Sequence, residues 1–369
     1  MQIEQVELFH IKMPMNFTFK TSKASIKYRE TIVIKATDEL GNNGYGEVVS
    51  FKEPFYTNET LDGSKQVLIN KYINAVIHHN IEHPFDIHKD LDVECPMALA
   101  GLENSLVDLY AKRNNKSIMK LVFDEETSDE IYAGIVLGDL DVKVLIRQIE
   151  DYQDEGYTRF KIKIKPVDGF IKLKAIREKY PDIQLLVDAN KSYKFDQIND
   201  IKKLDQFNLK CIEEPLNTEN FLEYQKLQKQ LRTPICLDES IQTVNDLRTA
   251  ILLKSFKVLN IKVGRVGGIY YAKKMIDICR ENNIKYWIGS MVESEISKIL
   301  HVHLASLNDT YIPGDLSSSK RYFKKDIIKP EIIVKKGLIK VPKGYGLGVE
   351  IDEAILKKYT IDYIKIGDE

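Results

Sequence analysis

The stretch RFKIKIKP, at residues 159–166, alternates basic and apolar side chains. The alternating residues are Arg159, Lys161, Lys163 and Lys165 on one side and Phe160, Ile162 and Ile164 on the other. Because successive side chains of a β-strand point to opposite faces, the pattern predicts a strand with one cationic and one apolar face. Taken alone, a cationic face is typical of an exposed edge strand, where lysines oppose aggregation. The rest of the chain decides whether these lysines face water or an enclosed site.

From about residue 131 onward, short apolar runs alternate with amphipathic helical segments. The eight apolar runs are IYAGIVLG, RFKIKIKP, IQLLVDAN, LKCIEEP, PICLDES, VLNIKVG, YWIGSMVES and YIPGDL. Alternating strands and helices indicate a parallel sheet, and eight such units predict a closed β/α barrel. The outer face of a barrel strand packs on helices, so we expect the apolar residues of 159–166 to point outwards and the lysines inwards.

The segments on either side of the barrel have a different pattern. Residues 1 to about 50 alternate as antiparallel strands do, with a hairpin turn at DELGNNG, and residues 59–80 and 96–114 have helical spacing. The tail returns to strand and turn patterns, and we expect it to pack on the N-terminal domain. The expected parts are an N-terminal α+β domain over residues 1–125, the barrel over 126–325 and a C-terminal segment over 326–369.

The composition excludes several classes of protein. The 369-residue chain is 43% hydrophobic and 30% charged, with a net charge of −1, so no general attraction to nucleic acid or to an anionic membrane is expected. It has no run of about 18 apolar residues that could span a membrane. The N-terminus MQIEQVELFHIKMP has early acidic residues and strand-like alternation, unlike a signal peptide. The four cysteines lack CxxC spacing, and we expect reduced, buried thiols in a cytoplasmic protein.

Five ionisable residues end five successive predicted strands. They are Lys163, Asp188, Glu213, Asp238 and Lys262, in steps of 24 or 25 residues. One strand–helix unit has about that length, so each residue occupies the same place on its strand. The carboxyl ends of barrel strands all face one mouth, where the chemistry of such folds takes place. Three carboxylates flanked by two lysines are therefore expected to converge there.

Each carboxylate also has an ordinary structural interpretation. Asp188 would serve as a helix N-cap, Glu213 as part of a solvated turn, and Asp238 as a cap on the helix that starts near Val244. Three carboxylates in register after apolar runs, however, would repel one another without a cation. An oxygen-only set with no histidine near the strand ends favours Mg²⁺ over zinc.

The two lysines would lie on opposite sides of a substrate held at this mouth. Each could move the proton at the α-carbon of a carboxylate substrate, while the metal stabilises the enediolate that forms. A lysine base needs a pKa lowered from about 10.4 towards working pH. The like charges of Lys161, Lys165 and the metal favour that shift, and the carboxylates oppose it.

Together these residues resemble the enolase superfamily, in its muconate-lactonizing-enzyme subgroup. The motifs that carry the resemblance are KIK at Lys161 and Lys163, VDAN at Asp188, IEEP at Glu213, LDES at Asp238 and NIKVGRVGG at Lys262. The resemblance covers essentially the whole chain and implies a modified (β/α)7β barrel, similar to a TIM barrel, with an α+β capping domain. It also implies a Mg²⁺ cofactor, for which Mn²⁺ can substitute. The residues that it implies are the metal ligands Asp188, Glu213 and Asp238, the acid/base pair Lys163 and Lys262, and the supporting residues Lys161, Asn190, Glu239 and Arg265.

Longer stretches are similar to one branch of that subgroup, the o-succinylbenzoate synthases related to N-succinylamino acid racemases. They are GYGEVVSFKEPFYTNETL, DLYAKRNNKS, NIKVGRVGG and IPGDLSSSKRYFKKDII. The branch implies syn-dehydration of 2-succinyl-6-hydroxy-2,4-cyclohexadiene-1-carboxylate in menaquinone biosynthesis. The alternatives are racemisation of N-succinylamino acids, alone or as a second activity, and dipeptide epimerisation or cycloisomerisation. A non-catalytic scaffold is disfavoured because all five core residues are present.

The resemblance also bears on partners and on Arg265. The expected partner is a small carboxylate with a succinyl group, rather than nucleic acid or a membrane, and we expect a homo-oligomer, a dimer or larger. Arg265 matches an arginine typical of the branch that includes the racemases, and its charge could tune Lys262. Its other interpretation is a residue at a helix start that pairs with a neighbouring acid.

Substrate specificity is expected from loops around the mouth. Residues 16–28 and 50–57 carry aromatic side chains that would close over a succinyl chain or, alternatively, pack within hairpins. The candidate substrate-binding residues are Phe19, Ser22, Phe51, Tyr56, Ser290, Met291, Glu293, Gly314 and Asp315. The departures from the family pattern are Lys191, Glu214, Ser290 and Glu295. Glu295 either adds a negative charge near the site, offset by Lys191, or points away.

Overall fold

The computed structural model describes residues 1–20 and 25–367. Its strands are β1 (Ile3–Lys20), β2 (Ser25–Asp38), β3 (Asn43–Val48), β4 (Glu130–Tyr132), β5 (Gly134–Leu137), β6 (Arg159–Lys163), β7 (Gln184–Asp188), β8 (Ile212–Glu213), β9 (Ile235–Leu237), β10 (Val258–Ile261), β11 (Lys285–Ile288), β12 (Ile328–Lys329), β13 (Val334–Lys335), β14 (Leu338–Lys340), β15 (Glu350–Ile351) and β16 (Thr360–Gly367). Its α-helices are α1 (Leu61–Val67), α2 (Ile87–Asp90), α3 (Pro96–Arg113), α4 (Ile118–Val122), α5 (Val142–Asp154), α6 (Gly169–Lys179), α7 (Ile198–Lys203), α8 (Phe221–Gln228), α9 (Val244–Leu252), α10 (Val263–Val266), α11 (Ile269–Glu281), α12 (Glu295–Ala305) and α13 (Glu353–Tyr359). None of the described helices is long and apolar enough to cross a membrane.

Seven parallel strands form the curved sheet of the barrel, in the order β5 to β11 along the chain. Lys163 pairs with Asp188 and Asp188 with Glu213 on neighbouring strands, so the spacing of 25 residues corresponds to the register of the sheet. The predicted β/α barrel is confirmed in these seven strands.

The predicted eighth strand is wrong in its detail, because residues 311–316 form an irregular segment rather than a strand. The segment nevertheless lies between β11 and β5, the two edge strands of the sheet. The Tyr311 amide donates to the Tyr286 carbonyl at 2.8 Å, and the Gly134 amide donates to the Leu316 carbonyl at 3.2 Å. A Cβ atom on Gly134 would lie 2.2 Å from the Gly314 carbonyl oxygen, so the backbones meet too closely for a side chain there. The barrel is closed by this close approach.

The stretch at 159–166 has its apolar face outward. Phe160 and Ile162 are fully buried in a cluster that also contains Leu173 and Ile176 of α6. The basic residues at 159, 161 and 163 lie along the interior face. Lys165 differs from the prediction, because it follows the end of β6 and its ammonium pairs at 2.5 Å with Asp139, in the loop that follows β5.

The N-terminal domain is a four-stranded antiparallel sheet with α3 packed against it. The strand order is β16-β1-β2-β3. The close packing of α3 on β3 requires glycine, because a Cβ on Gly44 or Gly46 would lie 2.1 Å from a carbonyl oxygen of the helix. The predicted helix at 96–114 is confirmed as α3. The helix predicted at 59–80 is shorter, and consists of α1 followed by a π-helical turn at Leu68–Tyr72.

The C-terminal segment packs on both the N-terminal domain and the barrel, and only the first of these contacts was predicted. β16 pairs antiparallel with β1, as expected of a segment that returns to the N-terminal domain. The hairpin of β13 and β14 pairs instead with β4, beside the first strand of the barrel. The division at residues 125 and 325 remains a prediction.

Two buried glutamates of the N-terminal domain cap helices of the barrel. Glu47 on β3 accepts from the Ser294 amide at 3.0 Å, the Ser294 hydroxyl at 2.7 Å and the Ser297 amide at 3.2 Å, at the start of α12. Glu103 on α3 accepts from the Tyr270 amide at 2.9 Å, in the first turn of α11. First-turn amides have no partner within the helix and are stabilised by negative charge. The N-terminal domain is therefore fixed over the mouth, the end of the barrel at which the strands terminate.

Candidate active site

The five predicted residues lie together at the mouth. Lys163, Asp188 and Glu213 are the last residues of β6, β7 and β8, and Asp238 and Lys262 directly follow β9 and β10. Both aspartates and Glu213 are almost fully buried. Lys163 pairs with Asp188 and Lys262 with Asp238, which gives this charged cluster two flanks, and Lys161 connects Asp188 to Glu213.

The first flank is built around Lys163. Its ammonium is 2.7 Å from Asp188 Oδ2 and donates to Asn190 Oδ1. The Asn190 amide nitrogen donates in turn to Glu239 Oε1 at 3.0 Å. The Lys163 side chain is 31% exposed, so its charged end reaches the open side of the mouth.

The second flank is built around Lys262, whose side chain is only 8% exposed. The Lys262 ammonium is 2.6 Å from Asp238 Oδ2 and 3.2 Å from the Tyr56 hydroxyl, and it lies 4.8 Å from the centre of the Tyr56 ring. Arg265 pairs with the other oxygen of Asp238, and its guanidinium donates to the Tyr56 hydroxyl at 3.1 Å. Tyr56 enters from the N-terminal domain, so both domains build this flank. Arg265 thus pairs with an acid and also stands beside Lys262.

Lys161 lies between the flanks, deeper in the barrel. Its ammonium is 2.9 Å from Glu213 Oε2, 3.6 Å from Asp188 Oδ2 and 2.5 Å from Asp315 Oδ2. The ring of Trp287 lies beneath it, with its centre 5.1 Å away. This lysine bridges two of the predicted metal ligands.

Burial is the largest influence on the pKa of each carboxyl group and favours its neutral form. In Asp188 and Asp238, basic neighbours outweigh burial, and the pKa of each lies below the ordinary aspartate value. In Glu213, burial and the nearby aspartates outweigh the attraction of Lys161, and the pKa lies well above the glutamate value. Burial and then the Asp238 charge raise the pKa of Glu239 to about 7. The lysines of the cluster therefore do not keep all of its carboxyl groups ionised.

Lys262 has the opposite shift from the one expected of a base. Burial lowers the pKa of Lys262, but the Asp238 charge and then the Tyr56 hydroxyl outweigh burial, so the pKa is raised above the lysine value. The physical reason is the contact with Asp238, which stabilises the ammonium.

The fit of a divalent cation depends on these carboxylates. Across residues 1–20 and 25–367, no three acidic, histidine or cysteine side chains converge as a ready metal site, because the three carboxylates turn towards the basic residues. The donor set is nevertheless all oxygen, and Asp188 and Glu213 both reach the Lys161 ammonium. Glu239 Oε2 is buried with no hydrogen-bond partner among the described residues. The unpartnered oxygen of Glu239 and the raised pKa of Glu213 both indicate negative charge that is not neutralised, which fits a hard cation such as Mg²⁺.

The sequence patterns missed Asn260 and did not predict a supporting role for Glu214. Asn260 donates to Glu213 Oε1 at 2.8 Å, and its position two residues before Lys262 on β10 was the available signal. Glu214 accepts from the Asp238 and Ser240 amides, both at 2.8 Å, so this departure from the family pattern supports the turn that carries Asp238.

Arg159 is a further residue of the interior. It is fully buried and pairs with Asp315 Oδ1 at 2.7 Å. Burial opposes ionisation of Asp315, but Lys161 and Arg159 outweigh it and lower the pKa of Asp315 to about 2. Asp315 thus connects two interior cations.

The candidate substrate-binding residues are divided by the structure. Tyr56 and Asp315 contact the charged cluster. Phe51 packs on Phe55 with ring centres 4.4 Å apart, which agrees with the alternative of hairpin packing. Met291 packs against the core of the N-terminal domain. Ser290 follows β11, where its hydroxyl donates to the Met291 carbonyl at 3.0 Å.

The four remaining candidates are Glu293, Gly314, Ser22 and Phe19. Glu293 is buried, and its carboxylate contacts His301 and Ser297. Gly314 lies in the segment that closes the barrel. Ser22 lies outside the described residues, as does the side chain of Phe19.

Glu295 and Lys191 do not offset one another, which corrects that alternative. Glu295 accepts from the Ile332 amide at 3.0 Å, facing the C-terminal segment. Burial and the Asp326 charge raise the pKa of Glu295 to about 8. Lys191 pairs with Glu219 at 2.7 Å. Glu295 therefore points away from the charged cluster.

Comparison with known proteins finds relatives in the family that the sequence motifs resemble. A family model described as enolase C-terminal domain-like matches residues 144–355. The o-succinylbenzoate synthase of Bacillus subtilis is 41% identical over 361 residues, which cover 97% of each chain. The N-succinylamino acid racemase of Thermus thermophilus is 34% identical over 364 residues, which cover 98% of each chain. A solved structure of an enolase superfamily member from Listeria innocua is similar with a TM-score of 0.95 at 34% identity over 99% of each chain.

Proposed function

This chain belongs to the enolase C-terminal domain-like family of the enolase superfamily, as its motifs predicted, and from that premise we propose that it is an o-succinylbenzoate synthase. It is an enzyme with lyase activity. The proposed reaction is the Mg²⁺-dependent syn-dehydration of 2-succinyl-6-hydroxy-2,4-cyclohexadiene-1-carboxylate to o-succinylbenzoate. We further propose that it serves menaquinone biosynthesis in the cytoplasm and that the protein is a homo-oligomer.

The observation that carries the proposal is the placement of two lysines on opposite flanks of buried carboxylates. Lys163 has the more exposed end, 31% against 8% for Lys262, and therefore the better access to a bound substrate. Syn-elimination removes the proton and the hydroxyl from one face, so one base at an accessible position is sufficient. Lys163 fits that role.

In the proposed reaction Lys163 acts first as a base and then as an acid. Its neutral amine takes the proton from the α-carbon of the substrate carboxylate. The same proton is delivered to the hydroxyl as its carbon–oxygen bond breaks, so water leaves and the new double bond completes the aromatic ring. No proton is gained or lost by the enzyme over the cycle. Such acid–base transfer contributes about 10²- to 10⁴-fold to rate.

The other residues of the cluster would bind the metal or supply a fixed positive charge. Asp188, Glu213 and Asp238 would bind the Mg²⁺, which when bound neutralises these carboxylates and stabilises negative charge on the substrate carboxylate. Lys262 would place a fixed cation opposite Lys163, against the charge that develops when the proton leaves. A carboxylate occupied by a divalent cation holds a lysine proton less strongly, so Lys163 could then be neutral part of the time.

Racemisation of N-succinylamino acids is the second candidate. The observation that favours it is Lys262 itself, a second amine on the opposite flank with Arg265 beside it. Racemisation takes a proton on one face and returns one on the other, so it needs both lysines. The relative from Thermus thermophilus carries that name.

The test is to supply both substrates to purified protein with Mg²⁺. The cyclohexadiene carboxylate should give o-succinylbenzoate, followed by its ultraviolet absorbance and mass. Each enantiomer of an N-succinylamino acid should be followed by optical rotation. Racemisation without dehydration would replace the first candidate by the second, and turnover of neither would reject both.

A further inference from the structure

A histidine that the sequence patterns did not single out contacts the backbone beside Lys262. His301 lies in the middle of α12 and is fully buried. Its Nε2 accepts a hydrogen bond from the Val263 amide at 3.3 Å, and its Nδ1 lies 3.0 Å from Glu293 Oε1. Val263 directly follows Lys262 and is the first residue of α10. The histidine thus satisfies an amide that has no partner within the helix.

The two contacts determine the tautomer of His301. A backbone amide can only donate, so Nε2 must carry a lone pair. Nδ1 then carries the proton and donates to Glu293. The other oxygen of Glu293 accepts from the Ser297 hydroxyl at 3.1 Å, so the carboxylate is itself held in place. The imidazole is therefore fixed in one tautomer and one orientation.

The peptide group between Lys262 and Val263 is held on both sides. The Lys262 carbonyl accepts from the Val266 amide at 3.3 Å, while the Val263 amide donates to His301. Because a peptide group is planar, these bonds fix the plane to which the Cα of Lys262 is attached. That plane sets the direction in which the Lys262 side chain leaves the backbone.

We propose that His301, oriented by Glu293, is a positioning residue for Lys262. The proposal rests on the proposed function, in which Lys262 is the fixed cation opposite Lys163 or the second proton carrier. Loss of His301 leaves a buried amide without an acceptor, and the peptide turns to find another one. A misplacement of about 1 Å can cost about 10²-fold in rate. Lys163 makes no contact with His301 or Glu293 among the residues of the described ranges, so its flank should be unaffected.

The first experiment is a double-mutant cycle on turnover. His301→Leu and Lys262→Ala are made singly and together, and kcat and KM are measured with whichever proposed substrate the native enzyme converts. His301→Leu should lower kcat by about 10- to 100-fold with little change in KM. In the Lys262→Ala background it should cause no further loss, because no side chain remains to be positioned. Losses that multiply in the double variant would overturn the proposal.

A matched variant separates the hydrogen bonds from the packing. In His301→Gln, the side-chain oxygen can accept from the Val263 amide while the nitrogen donates to Glu293. We expect this variant to recover most of the kcat that His301→Leu loses. A Gln variant as slow as the Leu variant would contradict the positioning role.

The tautomer provides a measurement that needs no turnover and no Leu variant. In ¹⁵N-histidine-labelled protein, the His301 resonances are assigned by their absence in His301→Gln, since the chain has seven histidines. Nδ1 should be protonated and Nε2 unprotonated. A proton on Nε2 would overturn the proposal, since that nitrogen could not accept from Val263. If the native enzyme converts neither substrate, the proposed function fails on that control, and the tautomer still decides the contact.

Discussion

The two flanks of the site use the same kind of side chain in unlike surroundings. Lys163 is 31% exposed and contacts Asp188 and Asn190 at the open side of the mouth. Lys262 is 8% exposed and is enclosed by Asp238, Tyr56 and Arg265. One lysine is accessible from the open side of the mouth, and the other is enclosed by its neighbours.

This difference separates two kinds of catalytic work. A group that takes a proton and then delivers it must move its charged end between two atoms, which an exposed side chain permits. A group that stabilises developing charge acts best when it is fixed in advance. The asymmetry therefore favours dehydration on the Lys163 flank, and racemisation requires Lys262 to exchange protons from its enclosed position.

Removal of the metal should abolish the contribution of both flanks together. If Asp188, Glu213 and Asp238 bind one Mg²⁺, treatment with a chelator should remove all turnover, and Mg²⁺ or Mn²⁺ should restore it. A crystal structure with Mg²⁺ should show one oxygen of each residue at about 2.0–2.1 Å from the ion. Full activity in protein shown to be metal-free by elemental analysis would reject the mechanism.

Loss of Lys163 should remove one flank only. Lys163→Ala should lower dehydration by about 10⁴-fold, because base and acid are lost together, while circular dichroism and Mg²⁺ binding stay unchanged. Lys165→Ala is the matched control, since this lysine of the same stretch pairs with Asp139 rather than with the charged cluster. It should keep native turnover. A loss of only a few-fold in Lys163→Ala would mean that another group is the base.

Lys262→Arg should separate the two activities. The guanidinium keeps the positive charge but does not lose a proton at accessible pH. In D₂O, followed by NMR, the native enzyme should exchange the α-proton of both enantiomers of an N-succinylamino acid. The variant should exchange only the enantiomer that faces Lys163, interconvert neither, and retain measurable dehydration. If it still racemises, Lys262 is not the second base.

The smallest effect is expected at Tyr56. Tyr56→Phe removes the hydroxyl shared by Lys262, Arg265 and Asp238, worth about 0.5–1.5 kcal/mol for one hydrogen bond, or about 2- to 10-fold in rate. The loss should be larger for racemisation than for dehydration, because only the Lys262 flank is touched. Tyr363→Phe, which loses a hydrogen bond to Glu7 in the sheet of the N-terminal domain, is the control and should change neither rate. An equal loss of both activities would show that the flanks are not independent.

The sequence predicted the features that repeat along the chain. Strand alternation placed Lys161 inside the barrel, and the spacing of 25 residues brought Lys163, Asp188 and Glu213 into register, because both follow from the geometry of one strand–helix unit. Local pattern alone is sufficient for such features.

Contacts between distant segments could not be predicted from local sequence patterns. Tyr56 reaches Lys262 across 206 residues of chain, and His301 reaches Val263 across 38. The eighth strand failed because the close approach of Gly134 and Gly314 replaces regular pairing, and YIPGDL carries no sign of it. These features depend on how the finished elements pack.

The carboxylates of Glu47 and Glu103 have a consequence for protein engineering. Each belongs to the N-terminal domain but completes the first turn of a barrel helix, so the barrel does not carry all the partners its own helices need. A hybrid enzyme, with the N-terminal domain exchanged to change substrate preference, would need an acid at both places. Without them, the Tyr270 amide of α11 and the Ser297 amide of α12 would lose these acceptors, and α12 is the helix that carries His301.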